Sequence, residues 1–198
     1  MYARRTRESP EGGAIAAVVI TLASAVLFVR VLLIVGVIAR GALLQIAAPL
    51  GIMFTAMTVL SFAFWWFIRK EHSRMPAQSN PTEIKSALIF AVIFAAVLLG
   101  VAAAKQYFGS NGLYAVAGLS GLVDVDAITL SVSQMLKSLQ VEPQAAWRLV
   151  LIAAMSNLVF KAGTVLVLGS RKLLGHISIL FGLSLAFGLL LLKFWPDQ

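Results

Sequence analysis

Residues 41–68 read GALLQIAAPLGIMFTAMTVLSFAFWWFI, a stretch without one Asp, Glu, Lys or Arg. About 30 Å of hydrocarbon divided by a rise of about 1.5 Å per residue asks for about 20 apolar residues. This stretch is long enough to cross a bilayer with room to tilt. Trp65 and Trp66 close it, and Arg69 and Lys70 follow directly. Indoles beside cations sit well at the boundary between lipid and water. Pro49 and Gly51 lie inside the run and predict a kink there.

Working outward, the rest of the chain has the same character. Of its 198 residues 60% are hydrophobic and 12% are charged, against about 45–50% and about 25% in soluble domains. A soluble fold of this size has too little interior to hide so much apolar surface. The net charge is +8, but the Lys and Arg residues stand in short groups between apolar runs. That is the pattern of membrane-flanking loops, not of a nucleic-acid interface. There is no Cys, which excludes disulfides and thiolate metal sites. The two histidines, His72 and His176, are far apart in sequence and predict no metal cluster. His176 reads as an interfacial or core residue, and His72 as a solvated one. No cofactor is implied.

The fold class expected is all-α: a polytopic transmembrane helical bundle forming one membrane domain over 1–198. About six membrane segments are predicted, near 13–38, 41–68, 86–104, 113–136, 145–168 and 173–192, with a polar loop at 69–85. The first could be mistaken for a signal peptide, because Ala23-Ser24-Ala25 resembles a cleavage site. Its apolar run continues to Ile38, too long for a cleaved segment, so it reads as a retained helix. With all six segments crossing, Lys and Arg in the flanks divide ten to four in favour of cytoplasmic N- and C-termini. A re-entrant fourth segment gives nine to five. The count does not choose between them.

The fourth segment reads LYAVAGLSGLVDVDAITLSVSQML. Gly118 and Gly121 precede Asp124 and Asp126, and a broken helix is predicted near that pair. Asp124 and Asp126 are the only acidic residues inside an apolar segment, and Arg30 and Lys161 the only cations well inside one. A charge at the bilayer centre costs about 2.5–3.5 kcal/mol or more. All four must therefore face a protein interior or a water-filled cavity. Two readings stand side by side. Either the carboxylates pair with Arg30 or Lys161 as structural ties, or they line a polar site for an ion, a proton or a small solute; a longer loop that puts both aspartates in water is the remaining alternative.

Spacing adds detail. Asp124 and Asp126 are two residues apart and share no face of a regular helix, yet both can enter one cavity from an unwound stretch. Asp126 could instead cap the half-helix 127–136. Thr129, Ser131 and Ser133 add hydroxyls, which in membrane helices often bond back to the preceding turn. Asn157 and Lys161 are i, i+4 and share a face, expected to look at the aspartates. Asp124, Asp126, Thr129 and Asn157 with unwound carbonyls could supply several oxygens to a hard cation. Arg30 and Lys161 argue against a permanent metal cage and suit an anion, a zwitterion or a proton-coupled site equally. A faint internal echo accompanies them: Pro10 precedes an Ala-rich span carrying Arg30, and Pro143 another carrying Lys161. Transporters are often built from such repeats.

Asn80-Pro81, Tyr107-Phe108-Gly109, Gly121 through Ser131, Ser156-Asn157 and Lys161-Ala162-Gly163, with Leu27 through Val31 upstream, carry a resemblance over nearly the whole chain. The sequence resembles the uncharacterised membrane domain found C-terminal to MgtC/SapB-type membrane domains in bacteria. The resemblance implies a multi-pass protein of the bacterial cytoplasmic membrane, a transporter or transporter-like subunit with no settled substrate. It also implies a longer pattern, with an MgtC-like part and further spans upstream of the position of Met1. A truncated or split version would then rely on a separate upstream half.

The leading expectation is transport of an ion or small solute through a site of Asp124, Asp126, Thr129, Asn157, Lys161 and Arg30. The alternative is a non-transporting regulatory or assembly protein acting through helix–helix contacts. Expected partners are the lipid bilayer and either further copies of the chain or an MgtC-like protein, with no nucleic acid. No enzyme is expected: an intramembrane aspartyl protease needs carboxylates from separate helices, and here both lie in one segment.

Overall fold

In the computed structural model, residues 12–69 and 112–196 are described, together with the isolated positions Leu88, Ala91, Val92 and Ala95. Apart from those four positions, the segment expected at 86–104 lies outside the described residues, as does most of the polar loop. Helix α1 is Gly13–Ile38, and a short 3-10 turn, Arg40–Ala42, leads into α2, Leu43–Ile68. Then come α3, Leu113–Val123, and α4, Val125–Lys137, followed by α5, Pro143–Leu168, and α6, Arg171–Phe194. Every regular element among the described residues is helical, as expected for a membrane bundle. Four stretches are long and apolar enough to cross a membrane: Gly13–Ile38, Arg40–Ile68, Pro143–Leu168 and Arg171–Phe194.

Helix α2 continues through Pro49. Pro143 opens α5 at its first position, where a missing N–H is harmless. Ser170 caps α6 by accepting from the Leu173 amide at 3.2 Å. The core is made of small and flexible residues: Ala17, Ala25 and Ala153, Met53 and Met57 are buried with Phe28, Trp147 and Phe181. Without a hydrophobic drive between helices in lipid, small residues favour association by letting backbones approach. Buried hydroxyls bond within their own helix, Thr21 to the Ala17 carbonyl at 2.9 Å and Ser61 to Met57 at 2.8 Å.

Contacts between helix ends fix the direction of each helix. A Cβ placed on Gly13 would lie 3.3 Å from the Leu173 amide, so α1 and α6 begin at the same end of the bundle. Near that end Phe64 of α2 packs on His176 of α6, with ring centroids 5.2 Å apart. At the opposite end Gln45 of α2, Pro143 and Trp147 of α5 and Trp195 beyond α6 line one cavity. Helices α1 and α6 therefore run parallel, and α2 and α5 run against them. Gly13 and Trp195 stand at opposite ends, where the ten-to-four count had placed both termini on one side. A sequence count of flanking charges could not detect this, since its margin over the nine-to-five alternative was one residue.

The fourth segment is broken, as its composition predicts. Helix α3 ends at Val123, Asp124 is extended (φ −150°, ψ 111°), and α4 restarts at Val125. Helix α4 buries Val125, Ile128, Thr129, Val132, Ser133 and Leu136 along one face and leaves Ser131, Gln134 and Lys137 exposed. Residues 138–142 join it to Pro143 and reach about 20 Å at most, while α5 is about 39 Å long. Helix α4 therefore leaves the bundle at the Trp195 end.

Candidate functional site in the interrupted helix

An interrupted helix exposes carbonyls at the end of one half and amides at the start of the next. One member of each set finds a side-chain partner here. The Asp124 carboxylate accepts from the Asp126 amide at 2.9 Å and caps α4. Asn157 of α5 donates through Nδ2 to the Gly121 carbonyl in the last turn of α3, at 3.3 Å. The cap falls on Asp124 and not on Asp126. The helix restarts two residues earlier than the sequence suggests, and Asp126 lies in the first turn, where a negative charge suits the helix dipole.

That placement leaves the Asp126 carboxylate available, and it forms an ion pair with the Arg30 guanidinium of α1. The pair is not sealed: the side chains are 29% and 63% exposed. Arg30 lies eight residues before the end of α1, about 12 Å inward along the helix. A half-open ion pair at that depth faces water or other protein, because hydrocarbon would penalise it by several kcal/mol. Asp124 is exposed beside it.

Lys161 takes a different partner. Its Nζ donates to Ser24 Oγ at 3.1 Å, and Ser24 in turn donates to the Ile20 carbonyl at 2.8 Å. Ser24 is buried near the middle of α1. Thr129, buried, donates to the Val125 carbonyl at 2.7 Å, and Ser133 to the Thr129 carbonyl at 2.7 Å. Their hydroxyls serve their own helix.

Of the residues singled out from sequence, the structure joins Arg30 with Asp126, and brings Asn157 to the end of α3. It places Lys161 on α1 instead of on the aspartates, and turns Thr129 inward on its own backbone. Sequence reasoning missed Ser24, which looked like part of an Ala-Ser-Ala cleavage site. It also missed the Gly121 carbonyl, which only a broken helix makes available. Among the described residues no group of three or more His, Asp and Glu side chains converges to hold a metal ion.

The packing that holds the break in place is tight. A Cβ on Gly121 would overlap the backbone of Ala153 in α5. A family model for a domain of unknown function, DUF4010, matches residues 1–169. The chain belongs to the DUF4010 family. All six residues of the candidate site lie within the matched region, and α6 lies beyond it. An "Uncharacterized protein" of Aquifex aeolicus (strain VF5) is 30% identical over 158 residues, which is 78% of this chain and 68% of the relative. No solved structure matches the chain.

Proposed function

We propose that this DUF4010 protein is a transporter, or a transporter-like subunit, that moves an ion or small solute across the bacterial inner membrane. The observation that carries the reading is the Arg30–Asp126 pair, half-open and set against a broken helix at membrane depth. Interrupted helices with charged residues near the bilayer midplane are where secondary transporters hold substrates and coupling ions. An ion pair at such a place can open when substrate or a proton competes for Asp126, and re-form after release. Lys161 and Ser24 form the next polar step towards the Gly13 end. The helices that carry the two cations, α1 and α5, run in opposite directions, which suits an inverted repeat.

In the membrane, the Gly13 end faces the cytoplasm in this reading. Arg69, Arg171 and Lys172 flank it, Arg4, Arg5 and Arg7 precede α1 and Lys70 follows α2; Arg40, Lys137, Arg148 and Lys193 flank the other end. In this reading the protein works with an upstream half, a second copy or an MgtC-like partner.

The test is flux in reconstituted vesicles, screened over ions and small solutes, with Asp126→Asn and Lys161→Met beside the unmodified protein. Loss of flux in both variants, with unchanged folding and insertion, supports transport. Unaltered flux in both would remove the site from the mechanism. A second reading, a regulatory or assembly protein, is favoured by the exposed polar side of α4, with Ser131, Gln134 and Lys137. It predicts a membrane partner that co-purifies and no flux for any solute.

A further inference from the structure

The Trp195 end of the bundle holds a cavity of about 300 Å³ lined by Gln45, Glu142, Pro143, Gln144, Trp147 and Trp195. It is built where three helix ends meet, the starts of α2 and α5 and the end of α6, away from the Arg30–Asp126 pair. Its size is at the lower limit of small-ligand sites. Its chemistry is one-sided. The Glu142 side chain makes no capping bond to α5, so its carboxylate is left to the cavity. Two indoles stand beside it, Trp147 and Trp195, edge to face with centroids 6.1 Å apart. Trp147 is buried and already has the Arg148 guanidinium 5.2 Å over its ring. The indole with surface to spare is Trp195, which is partly exposed.

We propose that this cavity binds an ammonium group, held between the Glu142 carboxylate and the Trp195 ring. A carboxylate gives a charge-assisted bond, and an indole face attracts a cation within about 6 Å of its centroid. The side-chain carbonyl oxygen of Gln45 can accept from the N–H of a primary ammonium. The same chemistry is carried by a free amine and by the headgroup of an aminophospholipid, and a cavity at one end of a membrane bundle is open to both.

The full chain, with Trp65→Phe and Trp66→Phe to leave Trp147 and Trp195 as the emitting indoles, is titrated with ethanolamine and with tetramethylammonium in detergent. In nanodiscs it is compared in phosphatidylethanolamine and in phosphatidylglycerol. The expected result is a saturable fluorescence change with ammonium probes that equal sodium chloride or glycerol does not produce. Glu142→Gln, an exposed position outside the core, weakens it about tenfold or more, the size expected for losing a hydrogen bond to a charged group. A response to phosphatidylethanolamine discs that blocks the free amine assigns the site to a lipid headgroup, and a response to the free amine in both disc types assigns it to a soluble amine. No saturable change, an equal change with glycerol, or full affinity in Glu142→Gln overturns the proposal. None of these results depends on whether the protein transports anything.

Discussion

Gly121 of α3 lies against the backbone of Ala153 in α5 so closely that a methyl group in place of its hydrogen would overlap the Ala153 carbonyl. Gly118, one turn earlier, has more room: its nearest neighbours would stand 3.5 and 3.6 Å from a Cβ, the Ser156 hydroxyl and an Ile152 methyl. The two glycines therefore differ in what they do. Gly121 sets the distance between the interrupted helix and α5, and so allows Asn157 to reach the Gly121 carbonyl.

Gly121→Ala should accordingly destabilise the protein by about 1–3 kcal/mol, the usual range for forcing an extra carbon into a packed interface. Gly118→Ala should be neutral or slightly stabilising, because alanine favours a helix by up to about 1 kcal/mol over glycine. Thermal unfolding of the two variants in the same detergent separates them. Equal melting temperatures would contradict the packing described.

Asp124 and Asp126 should respond differently to truncation. Asp124→Ala removes the cap of α4 and should cost about 1 kcal/mol, with Asp124→Asn and Asp124→Ser close to the unmodified protein. Asp126→Asn keeps the cap and loses the ion pair. Chemical denaturation of the four variants checks this, and an Asp124→Ala variant as stable as Asp124→Asn would contradict the cap at Asp124.

The Arg30–Asp126 pair lends itself to a double-mutant cycle with Arg30→Met and Asp126→Asn. Each single change leaves a charge without its partner, and the double variant should recover part of the loss. The coupling expected lies within about 0.5–3 kcal/mol, towards the low end because Arg30 is more than half exposed. Additive effects would mean that the two side chains do not meet in solution.

The absence of cysteine makes the helix directions directly measurable. Single cysteines at Arg40, Ser138 and Arg171, all exposed, are labelled in oriented vesicles with a membrane-impermeant maleimide. Positions 40 and 138 should react from the same side, and 171 from the other. Reaction of 138 and 171 from one side would overturn the assignment of α4 to the Trp195 end.

Much of this was legible in the sequence, for physical reasons that differ by element. Long charge-free runs such as that of α2 admit one solution in lipid, so their helices could be read directly. The interruption at Asp124 was also legible, because two carboxylates in an apolar segment cannot be carried through a regular lipid-facing helix. The residue that caps was not. Asp124 and Asp126 are equally good caps, and the choice depends on where α3 stops, which tertiary packing decides. The partner of Lys161 was hidden for a related reason. Charge matching favours an aspartate, but the serine that meets it belongs to a distant helix whose rotation no local pattern reports. Gly121 looked like a residue that loosens the helix. It is helical, and its missing side chain serves the neighbour.

The parallel course of α1 and α6 bears on how such a chain could be duplicated. Two copies joined by a short hydrophilic linker would enter the bilayer upside down relative to each other, since the second would begin on the face where α6 of the first finishes. Such a tandem would hold an antiparallel pair without any new membrane pass, and a same-sense tandem would require one.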